Sequence, residues 1–268
     1  MAAPHPIGIF DSGVGGLTVA AAIRRHMPAE TLLYLADIAR QPYGTKSART
    51  VTRYAVQAAE FLVGRGVKAL VVACNTASAV ALDAIEARFP GLPVVGVIEA
   101  GAAGAVAASA SGRIVVAATE GTCRSGAFER AILRRRPDAR VTAIPCPLFV
   151  GLAEEGLTEG GIVESVARHY LDSSFGTSGD GDCLVLGCTH FPLLARGISQ
   201  VTGPDVTLVD CAEMTSALLA DALAGRRAAP DAEGGLSLFV TADPERFTRL
   251  AARLFPNQPA VAAELVDI

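Results

Sequence analysis

The chain has 268 residues, a formal net charge of −4, 51% hydrophobic residues, 5% aromatic residues and no Trp. That length suits one large or two modest α/β domains, while the acidic balance and few stacking rings argue against a nucleic-acid partner. No run of about 18 uncharged apolar residues offers a membrane span, and the opening Met1-Ala2-Ala3-Pro4-His5-Pro6 lacks the charged start and apolar core of a signal peptide.

A cytoplasmic protein is therefore expected, and its six cysteines read as thiols rather than as bridges. The run Ile7 to Phe10 predicts a first strand. It turns through Asp11-Ser12-Gly13-Val14-Gly15-Gly16 into a helix from Leu17 to His26. This turn has neither the Gly-Lys-Ser/Thr ending of a phosphate loop nor the third glycine of a dinucleotide turn, since Thr18 stands there. It presents a carboxylate and a hydroxyl, which either cap the helix or line a site. A second strand, Thr31 to Leu35, leads to Asp37 and to Pro42-Tyr43-Gly44, a turn with an aromatic hydroxyl at its centre. A helix follows from Ser47, with apolar residues at helical spacing up to Gly64.

The next run, Ala69 to Ala73, is continuously apolar, the pattern of a parallel strand buried on both faces. It stops at Cys74-Asn75-Thr76, at the carboxyl end where open α/β sheets place their ligand crevice. A helix follows and then a strand from Val94 to Val97. After Ile98-Glu99-Ala100-Gly101 the order starts over. Ile114 to Ala118 is a strand stopping at Thr119-Glu120-Gly121-Thr122. A basic helix carries Arg130 and Arg134 to Arg136, which read as a solvated face. A strand from Val141 to Ile144, a helix near Glu164 to Leu171 and a Gly/Ser/Asp-rich loop from Ser173 to Asp182 come next. Leu184 to Gly187 then repeats the buried strand and ends at Cys188-Thr189-His190. Past Asp210 come a helix (Met214 to Leu223), a loop, a strand (Leu236 to Val240) and a last helix. The expected fold is two similar α/β lobes with mostly parallel sheets, related by pseudo-two-fold symmetry, with an active site in the cleft between them. The lobes are set at residues 1–97 plus 210–268, and 98–209.

Two strand-end thiols in equivalent places need a chemical reason. A permanent disulfide does not suit the compartment. A metal held by Cys74, Cys183, Cys188 and His190 lacks a usual ligand spacing, and Cys183 starts the strand that Cys188 follows. No metal is expected. A redox pair would normally be Cys-x-x-Cys. Acid–base work remains: an unperturbed thiol titrates near 8.5, so a thiolate on one face of a substrate and a thiol on the other could remove a proton and return one opposite, inverting a stereocentre without a cofactor. Steps of this kind contribute roughly 10²–10⁴ each in rate. The other cysteines, Cys123, Cys146, Cys183 and Cys211, read as small buried hydrophobes.

Together, Asp11-Ser12-Gly13 with Gly15-Gly16, Pro42-Tyr43-Gly44, Cys74-Asn75-Thr76-Ala77-Ser78 and Gly187-Cys188-Thr189-His190-Phe191-Pro192 resemble glutamate racemases of the cofactor-independent aspartate/glutamate racemase family. The resemblance covers essentially the whole chain. It implies interconversion of L- and D-glutamate, with D-glutamate going to peptidoglycan, and no cofactor. By it, Cys74 deprotonates D-glutamate and Cys188 L-glutamate, Asp11 and His190 tune or relay protons, and Ser12, Tyr43, Gly44, Asn75, Thr76 and Thr189 hold the ammonium and carboxylates. Thr119 and Thr122 assist, and Glu154 matches a carboxylate that contacts the histidine, although a solvated helix end reads equally well. Ala100, Phe128, Gly151 and Cys211 depart from the family's usual Pro, Tyr, Pro and Ser. Glutamate is the expected partner, a homodimer is left open, and two other readings stay beside this one. They are a same-fold racemase or decarboxylase acting on aspartate, hydantoins or malonates, and a binding protein for dicarboxylates whose cysteines are structural.

Overall fold

The computed structural model describes residues 5–176, 181–255 and 262–268. The opening residues 1–4 and part of the loop expected from Ser173 to Asp182 lie outside them. The first half runs β1 (Ile7–Asp11), α1 (Leu17–His26), β2 (Leu32–Ala36), α2 (Ala48–Val63), β3 (Ala69–Val72), α3 (Asn75–Arg88) and β4 (Val94–Gly96). Next come α4 (Val97–Ala108), β5 (Arg113–Ala118), α5 (Glu120–Ser125), α6 (Ala127–Arg135), β6 (Arg140–Pro145), α7 (Pro147–Glu154), α8 (Gly161–Phe175), β7 (Cys183–Gly187), α9 (Ala195–Thr202) and β8 (Thr207–Asp210). The chain closes with α10 (Cys211–Ala222), β9 (Leu236–Val240), α11 (Pro244–Leu254) and β10 (Glu264–Leu265).

Among the described residues the strands form two sheets in which every pairing is parallel, ordered β10-β9-β2-β1-β3-β4 and β6-β5-β7-β8. The order β2-β1-β3-β4 is repeated strand for strand by β6-β5-β7-β8, so β3 and β7 occupy equivalent places. The first sheet is extended beyond β2 by β9, which pairs in register from Leu32 opposite Leu236 to Ala36 opposite Val240. β1, β2, β3 and β7 are buried along their whole length, which is why their sequences are continuous apolar runs rather than alternations.

The layers follow from which faces the apolar side chains leave. Helices α2 and α3 cover one face of the first sheet through Val51, Ala55, Leu62 and Ile85 against Phe10, Leu70 and Val72. Helices α7, α8 and α9 cover the outer face of the second through Phe149, Leu171 and Ile198 against Val115, Leu184 and Leu186. The two inner faces share one core, in which α1, α4, α6 and α10 pack between Ile9 and Val71 on one side and Val116 and Val185 on the other.

Helix α4 has no counterpart in the sequence reading, in which a strand reaches Val97 and the order starts over after Gly101. Glycine weakens a helix by about 1 kcal/mol against alanine, so the local signal is poor. The packing explains the residues: a Cβ on Gly101 would lie 2.6 Å from Cys211 Sγ, and one on Gly104 would lie 2.9 Å from Val209 Cγ1. The glycines let α4 lie close to α10 and β8. Of the four family departures, Phe128 and Cys211 lie in this same inner layer, Ala100 is buried on α4, and Gly151 lines the cleft. Helix α8 runs on to Phe175, so the loop after it starts later than its Gly/Ser composition suggests.

Candidate active site

A cavity of about 460 Å³ opens between the carboxyl ends of the two sheets. Cys74, following β3, and Cys188, following β7, both line it. Both are nearly buried, at 5% and 7% exposure, and lie close enough for a charge on Cys188 to be felt at Cys74. Ser12, Tyr43, Gly44, Asn75, Thr76, Thr119, Glu154, Thr189 and His190 also line the wall.

Asp11 lies below that wall, fully buried at the end of β1. Its carboxylate Oδ2 accepts the N–H groups of Gly13 at 3.0 Å and Gly16 at 3.1 Å, so it organises the turn that starts α1. No side chain caps Gly16, the N-cap position of α1. The Tyr34 hydroxyl donates to Gly13 O at 2.9 Å and fixes the same turn from beneath, a role with no signal in the sequence. Burial pushes the Asp11 carboxyl above its ordinary value, against the opposing pull of His190 and the turn's N–H groups.

The Cys74 thiol donates to Ser12 Oγ at 3.5 Å. Burial first, and then the Asp11 charge, push this thiol up to about 12, so it rests protonated at neutral pH. On the other wall His190 Nδ1 lies 3.7 Å from Cys188 Sγ, and Nε2 lies 3.3 Å from Glu154 Oε1. That second contact is an ion pair seen obliquely: Nε2 makes no hydrogen bond among the described residues. Burial alone would lower the imidazole, but the Cys188 contact and the Glu154 carboxylate outweigh it and raise His190 to about 10. Glu154 is held below its ordinary value, chiefly by His190.

The lobes touch on both sides of the cleft. On one rim Thr76 Oγ1 sits 2.9 Å from Thr119 Oγ1 and 3.2 Å from Thr122 Oγ1, which are 3.0 Å apart, a triangle of hydroxyls shared between lobes. Beside it the Gly121 N–H donates to Gly44 O at 2.9 Å, and a side chain on Gly44 would collide with Thr119. At the base, Thr189 Oγ1 donates to Asp11 Oδ1 at 3.5 Å. On the other rim, the Gln41 amide donates to Glu154 Oε1.

Two residues sit differently from the plainest sequence reading. The Tyr43 residue is 1% exposed and its hydroxyl donates to Asp37, so the hydroxyl is taken up by the lobe's own carboxylate although Tyr43 lines the cavity. Asn75 directs its amide nitrogen toward Cys211 Sγ, 4.0 Å away, beneath the cavity floor. Gln41, Glu120 and Arg246 line the cavity and were not singled out from sequence. Gln41 adjoins the Pro-Tyr-Gly turn and was within reach of that motif, whereas Arg246 arrives from α11 with nothing local to mark it. Among the described residues no three His, Cys, Asp or Glu side chains gather to hold a metal ion. Cys183 lies at the far end of β7 from Cys188, in the inner core.

The sequence profile of the Asp/Glu/hydantoin racemases matches residues 17–219 of this chain. The chain belongs to that family. It is 51% identical to a glutamate racemase of Geobacter metallireducens over 249 residues, covering 92% of this chain and 91% of that protein. It superposes on the crystal structure of a glutamate racemase from Francisella tularensis in complex with D-glutamate, with a TM-score of 0.89 and 35% identity over 98% of this chain and 97% of that one. A glutamate racemase isoform from Bacillus anthracis matches with a TM-score of 0.92 and 36% identity over 98% of each chain. The two-lobed fold with parallel sheets is shared with these racemases. No helix among the described residues is long and apolar enough to cross a membrane.

Proposed function

We propose that this protein interconverts L- and D-glutamate without a cofactor, by moving the α-proton across the substrate between Cys74 and Cys188. The observation that carries this reading is the pair of thiols ending two topologically equivalent strands and lining one cavity. The relatives' glutamate chemistry and the D-glutamate bound by the Francisella protein support the choice of substrate.

The chemistry follows from the two walls. One sulfur, as thiolate, takes the α-hydrogen and leaves a planar carbanion; the opposite thiol then gives a proton to the other face. Each turnover ends with the protonation states exchanged, and the reverse direction uses the same groups in the opposite order. Cys74 rests as a thiol and so starts as the acid, with Cys188 the base toward L-glutamate; D-glutamate needs the reverse arrangement. The His190 imidazolium faces Cys188, and Asp11 lies near Cys74, so each sulfur has a charged neighbour through which its proton state is tuned. Ser12, Tyr43, Gly44, Asn75, Thr76 and Thr189 hold the ammonium and carboxylates, with Thr119 and Thr122 in support. Preorganised N–H and hydroxyl dipoles in a closed cavity stabilise the developing charge more than water would.

The lobes of this reading are residues 1–97 with 210–268, and 98–209. The setting is the cytoplasm, where D-glutamate is supplied for peptidoglycan, and sedimentation decides between a monomer and a homodimer. The deciding experiment follows circular dichroism on each enantiomer of glutamate and aspartate, a 5-substituted hydantoin and a disubstituted malonate. Glutamate should lose its optical signal from either side to the same end point. Turnover of another substrate with glutamate inert would replace this reading, and binding with no turnover at all would leave a dicarboxylate-binding protein.

A further inference from the structure

Gln41 stands out as a side chain that the chemistry above does not use. It sits in the first lobe, just before Pro42-Tyr43-Gly44, and its amide crosses the mouth of the cleft to Glu154, 113 positions away in α7 of the second lobe. The amide rests against Gly13 of the turn after β1, where an added Cβ would lie 2.9 Å from Gln41 Cδ. Behind Gln41 and Glu154 lies a small cavity of about 50 Å³, walled also by Val14, Ile38 and Arg246. The loop that carries Gln41 is anchored on its other side, where the Tyr43 hydroxyl bonds Asp37 and Arg40 pairs with the same carboxylate at 2.7 Å.

Glu154 in turn is the carboxylate at 3.3 Å from His190 Nε2, and His190 Nδ1 faces Cys188 Sγ at 3.7 Å. The contacts thus form one row, from a first-lobe amide through a second-lobe carboxylate and imidazole to a sulfur. We propose that Gln41 is a positioning residue that latches the two lobes together and holds Glu154, and through it His190, against the Cys188 wall of the cleft. A carboxylate with two acceptor oxygens and an exposed cation nearby, Arg246, has other geometries open to it. The amide selects the one in which Oε1 stays toward His190. The latch is therefore one-sided: it supports Cys188 and leaves the Cys74 wall to Ser12 and Asp11.

This inference rests on the two-thiol reading, and its test separates the two. Wild-type racemisation of glutamate is measured first; an inactive wild type overturns the functional reading itself. In an active protein, Gln41→Leu removes the amide at similar volume, and Gln41→Met provides a second variant of the same kind. Both should lower kcat/KM about tenfold, the fold-change that one hydrogen bond to a charged group carries. The loss must be equal from L- and D-glutamate, because the equilibrium constant between enantiomers is one. The one-sidedness is read with α-deuterated substrates. The primary isotope effect should rise for the enantiomer that Cys188 deprotonates, L-glutamate in the assignment above, and fall toward one for the other, whose loss comes from slowed reprotonation at Cys188. In a Glu154→Ala background, Gln41→Leu should cost nothing further. An unchanged kcat/KM, isotope effects that rise equally for both enantiomers, or additive losses with Glu154→Ala would each overturn the latch while leaving the racemase reading intact.

Discussion

Replacing Glu154 by Gln keeps the shape and the acceptor for the Gln41 amide, and removes only the charge facing His190. Buried pairs that lose one partner cost about 3–5 kcal/mol, while exposed pairs contribute about 0–1 kcal/mol. His190 is 5% exposed and Glu154 29% exposed at their side chains, which places this pair between the two limits, at about 1–2 kcal/mol. The imidazole's proton affinity should fall with it by about one unit, equivalent to ~1.4 kcal/mol.

The pH dependence has a definite sign. His190 is raised from 6.5 to about 10 in the folded protein, so its contribution is fully present below 6.5 and is lost as pH climbs to about 10. Glu154 is held below 4.5, so its share is present above that value and is lost on acidification beneath it. The stability gap between wild type and Glu154→Gln should therefore be level from about pH 5 to about pH 9 and close by about pH 11. Urea unfolding at a series of pH values measures the gap, and an NMR titration of the His190 ring measures the shift. A gap that persists undiminished at pH 11, or no gap at pH 7, would show that the pair is not an electrostatic one.

Cys74→Ala and Cys188→Ala should each lower racemisation about 10²–10⁴-fold in both directions, as polarimetry or circular dichroism would read; either variant keeping more than a few per cent of the rate would remove the two-base mechanism. Gly15→Ala should lower kcat/KM at least tenfold, because the new Cβ would lie 2.8 Å from His190 Nδ1 and strike Thr189, and displacements of about 1 Å near a reacting centre cost roughly 10². An active Gly15→Ala enzyme would mean that this turn does not hold the Cys188 wall.

The strand-end cysteines could be read in advance because fully buried parallel strands leave an unmistakable apolar run, and the polar residue that ends it falls at the crevice. The tail's strand was visible as a mostly apolar run placed with the first lobe, and it pairs in register with β2 from Leu236 to Val240. Helix α4 was hidden because the glycines that let it approach α10 are the residues that erase a helical signal. The two-residue β10 is too short to show any period. Within the site, side chains on the motifs could be named but their partners could not: Tyr43 gives its hydroxyl to Asp37, Asp11 spends its carboxylate on turn N–H groups, and Tyr34 supports that turn from an unremarkable strand. Gln41 and Glu154 meet only because the lobes close. A contact across 113 positions leaves no trace in local pattern.

The most direct measurement of the central claim is proton exchange in deuterated water, starting separately from L- and D-glutamate and followed by NMR at the α-carbon. Two separate acids across the substrate require that early product carries solvent deuterium while recovered substrate retains its own hydrogen, from either enantiomer. Deuterium appearing equally in recovered substrate and product, or product that keeps the original hydrogen, would point to a single group carrying the proton across and would contradict the account.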